Sequence, residues 1–161
     1  MENGTNINKE DRNDKTPLFS TCEGGNKAVV KYLVDHGTDI NKEIEHDETP
    51  LFYTCKNGNE AIVKYLVQHG AYINKENEYS ETAFFKACES GNTEIVEYLI
   101  ERGADINKNN NKGCTPFFYA CKYGNVKVIE CLIKHGAYIY IYKIKRKVLL
   151  YFMNIKIKIK Q

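Results

Sequence analysis

Thr16, Thr49, Thr82 and Thr115 stand 33 residues apart, and each opens a block that closely repeats the one before it. A fixed period of this length marks an array of like units rather than one unique fold around one active site. The clearest echoes are KYLVDHGTDINK at 31–42, KYLVQHGAYINK at 64–75 and EYLIERGADINK at 97–108. The fourth copy, ECLIKHGAYIYI at 130–141, stops where INK should stand.

One block can be read as physics. In residues 49–81, Thr49 followed by Pro50 predicts a helix start. The threonine hydroxyl can accept from a free backbone N–H, and proline at the first helical position gives up no needed donor. The first helix should run to about Asn57, and Gly58 can take a left-handed conformation to end it. Asn59 offers the next cap, before an apolar series at Ile62, Val63, Leu66 and Val67. That spacing places one apolar stripe on the second helix, with Glu60, Lys64 and Gln68 outside it. Gly70 should stop the second helix, and the polar AYINKENEYSE suits an extended loop or hairpin leading to the next block. Such a helix pair cannot cover its own stripe, so stacking against neighbouring pairs is the expected solution. Leu33, Leu66, Leu99 and Leu132 should then be successive rungs of one interior.

TPLF, the glycine nine residues on, IVKYLV and HGAYIN in these blocks resemble the ankyrin repeat, and the resemblance covers about residues 4–139. It implies an all-α fold, an α-solenoid of stacked helix-turn-helix units with connecting β-hairpin loops. The units should be 16–48, 49–81, 82–114 and an incomplete 115–139. Residues 1–15 should be the end of a partial repeat, because Gly4, Thr5, Ile7 and Asn8 align with Gly37, Thr38, Ile40 and Asn41. Two departures stand out. The family's usual histidine is replaced by Phe19, Phe52, Phe85 and Phe118, and its loop glycine survives only as Gly113, with Asp14, Asp47 and Ser80 elsewhere.

The same resemblance implies a non-enzymatic scaffold that binds a protein partner through a concave face and hairpin tips. Carried onto this chain, the tips are Arg12 and Asn13, Glu45 and His46, Glu78 and Tyr79, and Asn111 and Lys112. The side of the first helices offers Tyr53, Lys56, Lys86, Glu89, Tyr119, Lys122 and Tyr123. No small-molecule substrate, cofactor or metal is expected. The alternative reading is a targeting fragment of a larger multidomain protein whose catalytic part lies outside this sequence.

Cys22, Cys55, Cys88 and Cys121 share one repeat position. Equivalent atoms of stacked helices lie about 8–10 Å apart, beyond the reach of a disulfide of about 7 Å. They should therefore be reduced, small and buried. His36, His69 and His135, with Arg102 in the remaining copy, should form a row rather than a cluster around one ion. No HExxH, GxSxG or phosphate-binding glycine loop is present.

Charge divides the chain. Its formal net charge is +2, yet residues 140–161 hold seven of the 23 Lys/Arg and none of the 21 Asp/Glu. This tail alternates Tyr/Ile and Lys/Ile around a short apolar centre. Weak attachment to acidic lipid is one reading, contact with nucleic acid a less favoured one, and a divergent cap a third. The reading preferred from sequence is translation of A/T-rich DNA beyond a broken array, since 18 of the 22 residues are of types encoded by A and T alone. The start of the chain lacks the apolar core of a secretory signal, and VLLYFM at 148–153 is far short of the roughly 20 residues that span a bilayer. A cytoplasmic, intracellular protein is the resulting expectation.

Overall fold

The computed structural model describes residues 6–139. The readings of residues 140–161, and of the first five residues of the partial repeat, lie outside the described residues. Among the described residues eight α-helices form four pairs: α1 (Pro17–Gly24) with α2 (Lys27–Asp35), α3 (Pro50–Lys56) with α4 (Glu60–Gln68), α5 (Ala83–Ser90) with α6 (Thr93–Glu101), and α7 (Pro116–Tyr123) with α8 (Val126–Lys134). No helix among the described residues is long and apolar enough to cross a membrane.

The helices end where the sequence says they should. Gly25, Gly58, Gly91 and Gly124 all have positive φ. At Gly91 a second constraint joins the first, because an added Cβ would meet the Asn125 side chain at 2.7 Å. That asparagine belongs to the next pair and donates to the carbonyl oxygens of Cys88 and Glu89, each at 2.9 Å. Asn59 reaches back to Cys22 O at 3.4 Å in the same way, and Asn92 to Gly58 O at 3.4 Å. The residue that caps a second helix thus also ties it to the pair before.

The threonine caps differ from expectation. Only Thr115 accepts a side-chain bond, from Phe118 N at 3.3 Å. The hydroxyls of Thr16, Thr49 and Thr82 are buried without a partner. In the second and third pairs the reason is visible: Phe52 N and Phe85 N donate to the carbonyl oxygens of Thr49 and Thr82 at 3.0 Å, so the first turn is closed by backbone rather than by side chain. The phenylalanine that follows three residues later supplies apolar bulk but no polar group to replace the lost bond.

One apolar interior runs through all four pairs. Leu33, Leu66, Leu99 and Leu132 lie in it together with Cys22, Cys55, Cys88 and Cys121. Leu66, Leu99 and Leu132 are fully buried, and Leu33 in the first pair nearly so. The six cysteines are free. Burial pushes the Cys22 and Cys121 thiols up to about 12 and raises Cys55 and Cys88 as well, so all four are protonated packing groups rather than nucleophiles.

The connecting loops have the closure of a hairpin without its strands. Two backbone bonds close each one: the outer runs from Asp11 N to Lys15 O, Asn77 N to Glu81 O and Asn110 N to Cys114 O at 2.9 Å, and from Ile44 N to Glu48 O at 3.1 Å, and the inner from Asp14, Ser80, Gly113 and Asp47 N back to Asp11, Asn77, Asn110 and Ile44 O. Among the described residues only Ile44 and Glu48 pair as an isolated bridge. Asp14, Asp47, Ser80 and Gly113 take positive φ at the tight turn, where glycine is the residue with no steric cost.

The recurring INK stretch has a structural task. Asn41 accepts from Tyr72 N at 2.9 Å and donates to Gly70 O at 3.0 Å, both in the following block. Asn74 does the same with Asp105 N and Gly103 O, and Asn107 with Tyr138 N and Gly136 O. The lysine after it pairs backwards: Lys42 with Glu10 at 2.7 Å, Lys75 with Glu43 at 3.0 Å and Lys108 with Glu76 at 2.5 Å. Each copy therefore clips itself to both neighbours.

Candidate functional site

Side chains that hold the stack repeat from block to block, so a specific surface must come from positions that vary. The first helices α1, α3, α5 and α7 pack against one another more extensively than the second helices do. The first-helix side is the face expected to be concave, the inner face of the stack. Its variable rows are Ser20, Tyr53, Lys86 and Tyr119, and Glu23, Lys56, Glu89 and Lys122.

At the loop tips the structure joins several of the expected residues. Glu78 N donates to His46 O at 3.1 Å and Asn111 N to Tyr79 O at 3.0 Å, so successive tips form a bonded edge. His46 Nδ1 lies 2.6 Å from Glu78 Oε1, and its ring centre is 5.6 Å from that of Tyr79. Glu45 is more distant, 3.5 Å from His46 Nε2. The Arg12–Asn13 turn is held locally instead, by Asp11 Oδ1 accepting from Asn13 N at 2.8 Å and Lys15 N at 3.0 Å. Lys112 is exposed beside Asn111.

On the inner face the expected residues divide into two kinds. Lys86 and Tyr119 converge on Glu81, a buried carboxylate. It accepts from Tyr119 Oη at 2.5 Å, Asn110 Nδ2 at 2.9 Å and Lys86 Nζ at 3.1 Å. Burial would raise the Glu81 carboxyl, but these three donors outweigh it and hold the group below the usual carboxylate range. Burial likewise works to lower Lys86, and the Glu81 charge reverses that, leaving the ammonium above its ordinary value. Burial together with the Glu81 bond pushes the Tyr119 phenol up. Glu89 completes the cluster 3.7 Å from Lys86.

Tyr53 is partly committed too. Its ring meets Phe19 edge-on at 5.5 Å and carries Lys15 at 5.6 Å, while burial and the Glu48 carboxylate raise its phenol. Lys56 and Tyr123 are exposed. Lys122 is exposed and sits 5.0 Å over the Tyr123 ring and 5.6 Å from that of Tyr119. Glu81 and Asn110 were not singled out from sequence. Position 81 corresponds to Lys15, Glu48 and Cys114 in the other blocks, so no periodic signal marks it.

The family model for ankyrin repeats, in three copies, matches residues 1–77 and 72–143. The chain belongs to the ankyrin-repeat family. Members of this family are in general protein–protein interaction modules and are typically non-catalytic. No curated protein matches the chain. In this ankyrin array, His36, His69 and His135 close helix ends: each Nδ1 lies 2.7–2.8 Å from the carbonyl oxygen four residues earlier. Among the described residues no group of three or more His, Cys, Asp or Glu is arranged to hold a metal ion.

Proposed function

We propose that this ankyrin array is a scaffold that captures a protein partner on its inner face and loop tips, using units 16–48, 49–81, 82–114 and 115–139 as the frame. One contrast carries the reading. The stacking positions repeat and are buried, whereas the accessible positions Lys56, Tyr79, Lys122 and Tyr123 differ from copy to copy. A stiff frame with a varied surface suits recognition, because little order has to be gained when the partner arrives. Tyrosine is also a frequent energetic anchor at interfaces.

Tyr53, Lys86, Glu89 and Tyr119 shape this surface from below through the Glu81 cluster and its neighbours. Arg12, Asn13, Glu45, His46, Glu78, Asn111 and Lys112 form its rim. The test uses Tyr79→Ala combined with Tyr123→Ala, since both rings are exposed and their loss leaves the core intact. Affinity capture from native lysate, followed by quantification of the recovered partner, should fall at least about tenfold, the consequence of losing about 1.4 kcal/mol. Undiminished capture by a folded double variant would refute the placement.

A further inference from the structure

The two ends of the stack are the two halves of a joint that the molecule already makes three times. Inside the array, the rear face of each pair meets the forward face of the pair before it. Ile62, Ile95 and Val128 are buried there, and Tyr98 donates to Lys64 O at 3.4 Å. The cap asparagines donate across the same joints, as Asn125 does to the carbonyl oxygens of Cys88 and Glu89.

The first pair carries that rear face with no described helix pair against it. Val29, at the place of Ile62, Ile95 and Val128, is exposed, and so is Tyr32. Among the described residues, nothing accepts from the Tyr32 hydroxyl or from the side-chain nitrogen of Asn26, whose oxygen caps its own helix at Val29 N. The fourth pair shows the matching forward face. Phe118 is only partly buried, whereas Phe19, Phe52 and Phe85 are fully so. A Cβ on Gly25, Gly58 or Gly91 would meet the cap asparagine of the following pair at 3.3, 3.8 or 2.7 Å, but one on Gly124 would meet no described atom within 4 Å.

The 33-residue register says which groups of two copies would meet. Asn26 stands where Asn125 does, so its amide would reach the carbonyl oxygens of Cys121 and Lys122 beside Gly124 of the other copy. Tyr32 stands to Glu130 O of that copy as Tyr98 does to Lys64 O. The loops agree in phase. The unit opening at Thr115 follows the repeat for 25 residues, to Ile139, and residues 8–15 are the counterpart of the eight that would complete it. In that loop Asn8 already accepts from Asp39 N at 3.0 Å, as Asn41 does from Tyr72 N. Asn6 and Ile7 fall on the same positions as Tyr138 and Ile139, so one of these short stretches gives way at the joint.

We propose that this array binds a second copy of itself head to tail, the forward face of α7 and α8 seating on the rear face of α1 and α2. Such a contact is heterologous, so copies add into an open series rather than closing as a pair. It goes beyond partner capture and leaves the inner face accessible. Without a covalent link between copies the joint costs the entropy of association, so it opens on dilution. A symmetric contact between two α2 faces fits less well, because it would set the donors Asn26 and Tyr32 against each other and away from the carbonyl row at Gly124.

The test follows the weight-average mass of the full chain by light scattering across a concentration series, beside the double variant Val29→Lys, Tyr32→Lys. Both positions are exposed, and circular dichroism checks that the variant keeps its helices. The mass of the parent should climb with concentration past that of a dimer, while the variant should stay at one chain. Added in excess, the variant still offers its forward face, so it should bind the parent and pull the mass back toward that of a dimer. A parent that stays monomeric, as it would if its own residues 140–161 covered the forward face, would overturn the proposal. So would a double variant that assembles as well as the parent, or one that neither self-associates nor binds the parent, the mark of a symmetric α2 contact.

Discussion

The first and third helix pairs are written in the same pattern of apolar, capping and glycine residues, yet their surfaces differ. Val29 of α2 is 38% exposed, whereas Ile95 at the same place in α6 is fully buried. Tyr32 is 60% exposed, while its counterpart Tyr98 is 8% exposed and donates to Lys64 O at 3.4 Å in the preceding pair. Tyr65 reaches back likewise, to Asp35 at 2.5 Å. The described residues before α1 place only Asn6 and Ile7 beside an open depression shared with Pro17, Tyr32, Leu33 and His36. The same amphipathic helix is therefore a core element in one place and half a surface in the other. What decides is the neighbour rather than the helix.

This contrast can be broken most sharply in the third pair. Leu99→Ala should lower unfolding free energy by about 2–5 kcal/mol, because the site is enclosed on both sides and cannot collapse. Val29→Ala, at a partly exposed position, should change it by no more than about 0.5 kcal/mol. Denaturant titration of both variants makes the comparison, and equal losses would show that position in the stack does not matter.

Next in size is the cluster that joins the third and fourth pairs. Tyr119→Phe removes a donor to a buried carboxylate and should cost about 1.5–3 kcal/mol at neutral pH. The pH dependence sharpens this. Glu81 is held below its ordinary value in the fold, so its contribution is full above the unfolded carboxylate range near 4.3 and disappears as pH falls through the folded value. Stability of the parent chain should thus drop more steeply between pH 5 and pH 3 than that of Glu81→Gln, measured by thermal unfolding across the range. Parallel curves would contradict the assignment.

Smaller again is the asparagine clip. Asn74→Ala deletes two bonds to the following pair at an exposed position, and about 1 kcal/mol should be lost. Lys108→Ala breaks an exposed ion pair with Glu76 and should cost between about 0 and 1 kcal/mol, less at high salt. If the two losses came out in the opposite order, the asparagine would not be the principal link.

Much of this architecture was legible in the residues. The 33-residue period placed the helix pairs, the glycines marked their ends, and Asp14, Asp47 and Ser80, standing where the family has its loop glycine, take positive φ as that glycine would. The chemistry between blocks was not legible. Nothing local in INKE says that its asparagine reaches forward and its lysine back, since both partners are about 30 residues away. The capping threonines misled because the hydroxyl and the carbonyl of the same residue compete for the first-turn N–H groups. On the inner face the sequence supplied the residue types but not the pairing, and Lys86 and Tyr119 proved to be held by a glutamate with no periodic signature.

Amide hydrogen exchange resolved by residue tests most directly whether stacking supplies the stability. The amides of Val96 to Leu99 in α6, covered by a pair on either side, should exchange at least about tenfold more slowly than those of Val30 to Leu33 in α2. Equal protection in the two helices would mean that each pair stands by itself, and the account of a mutually supported array would fail.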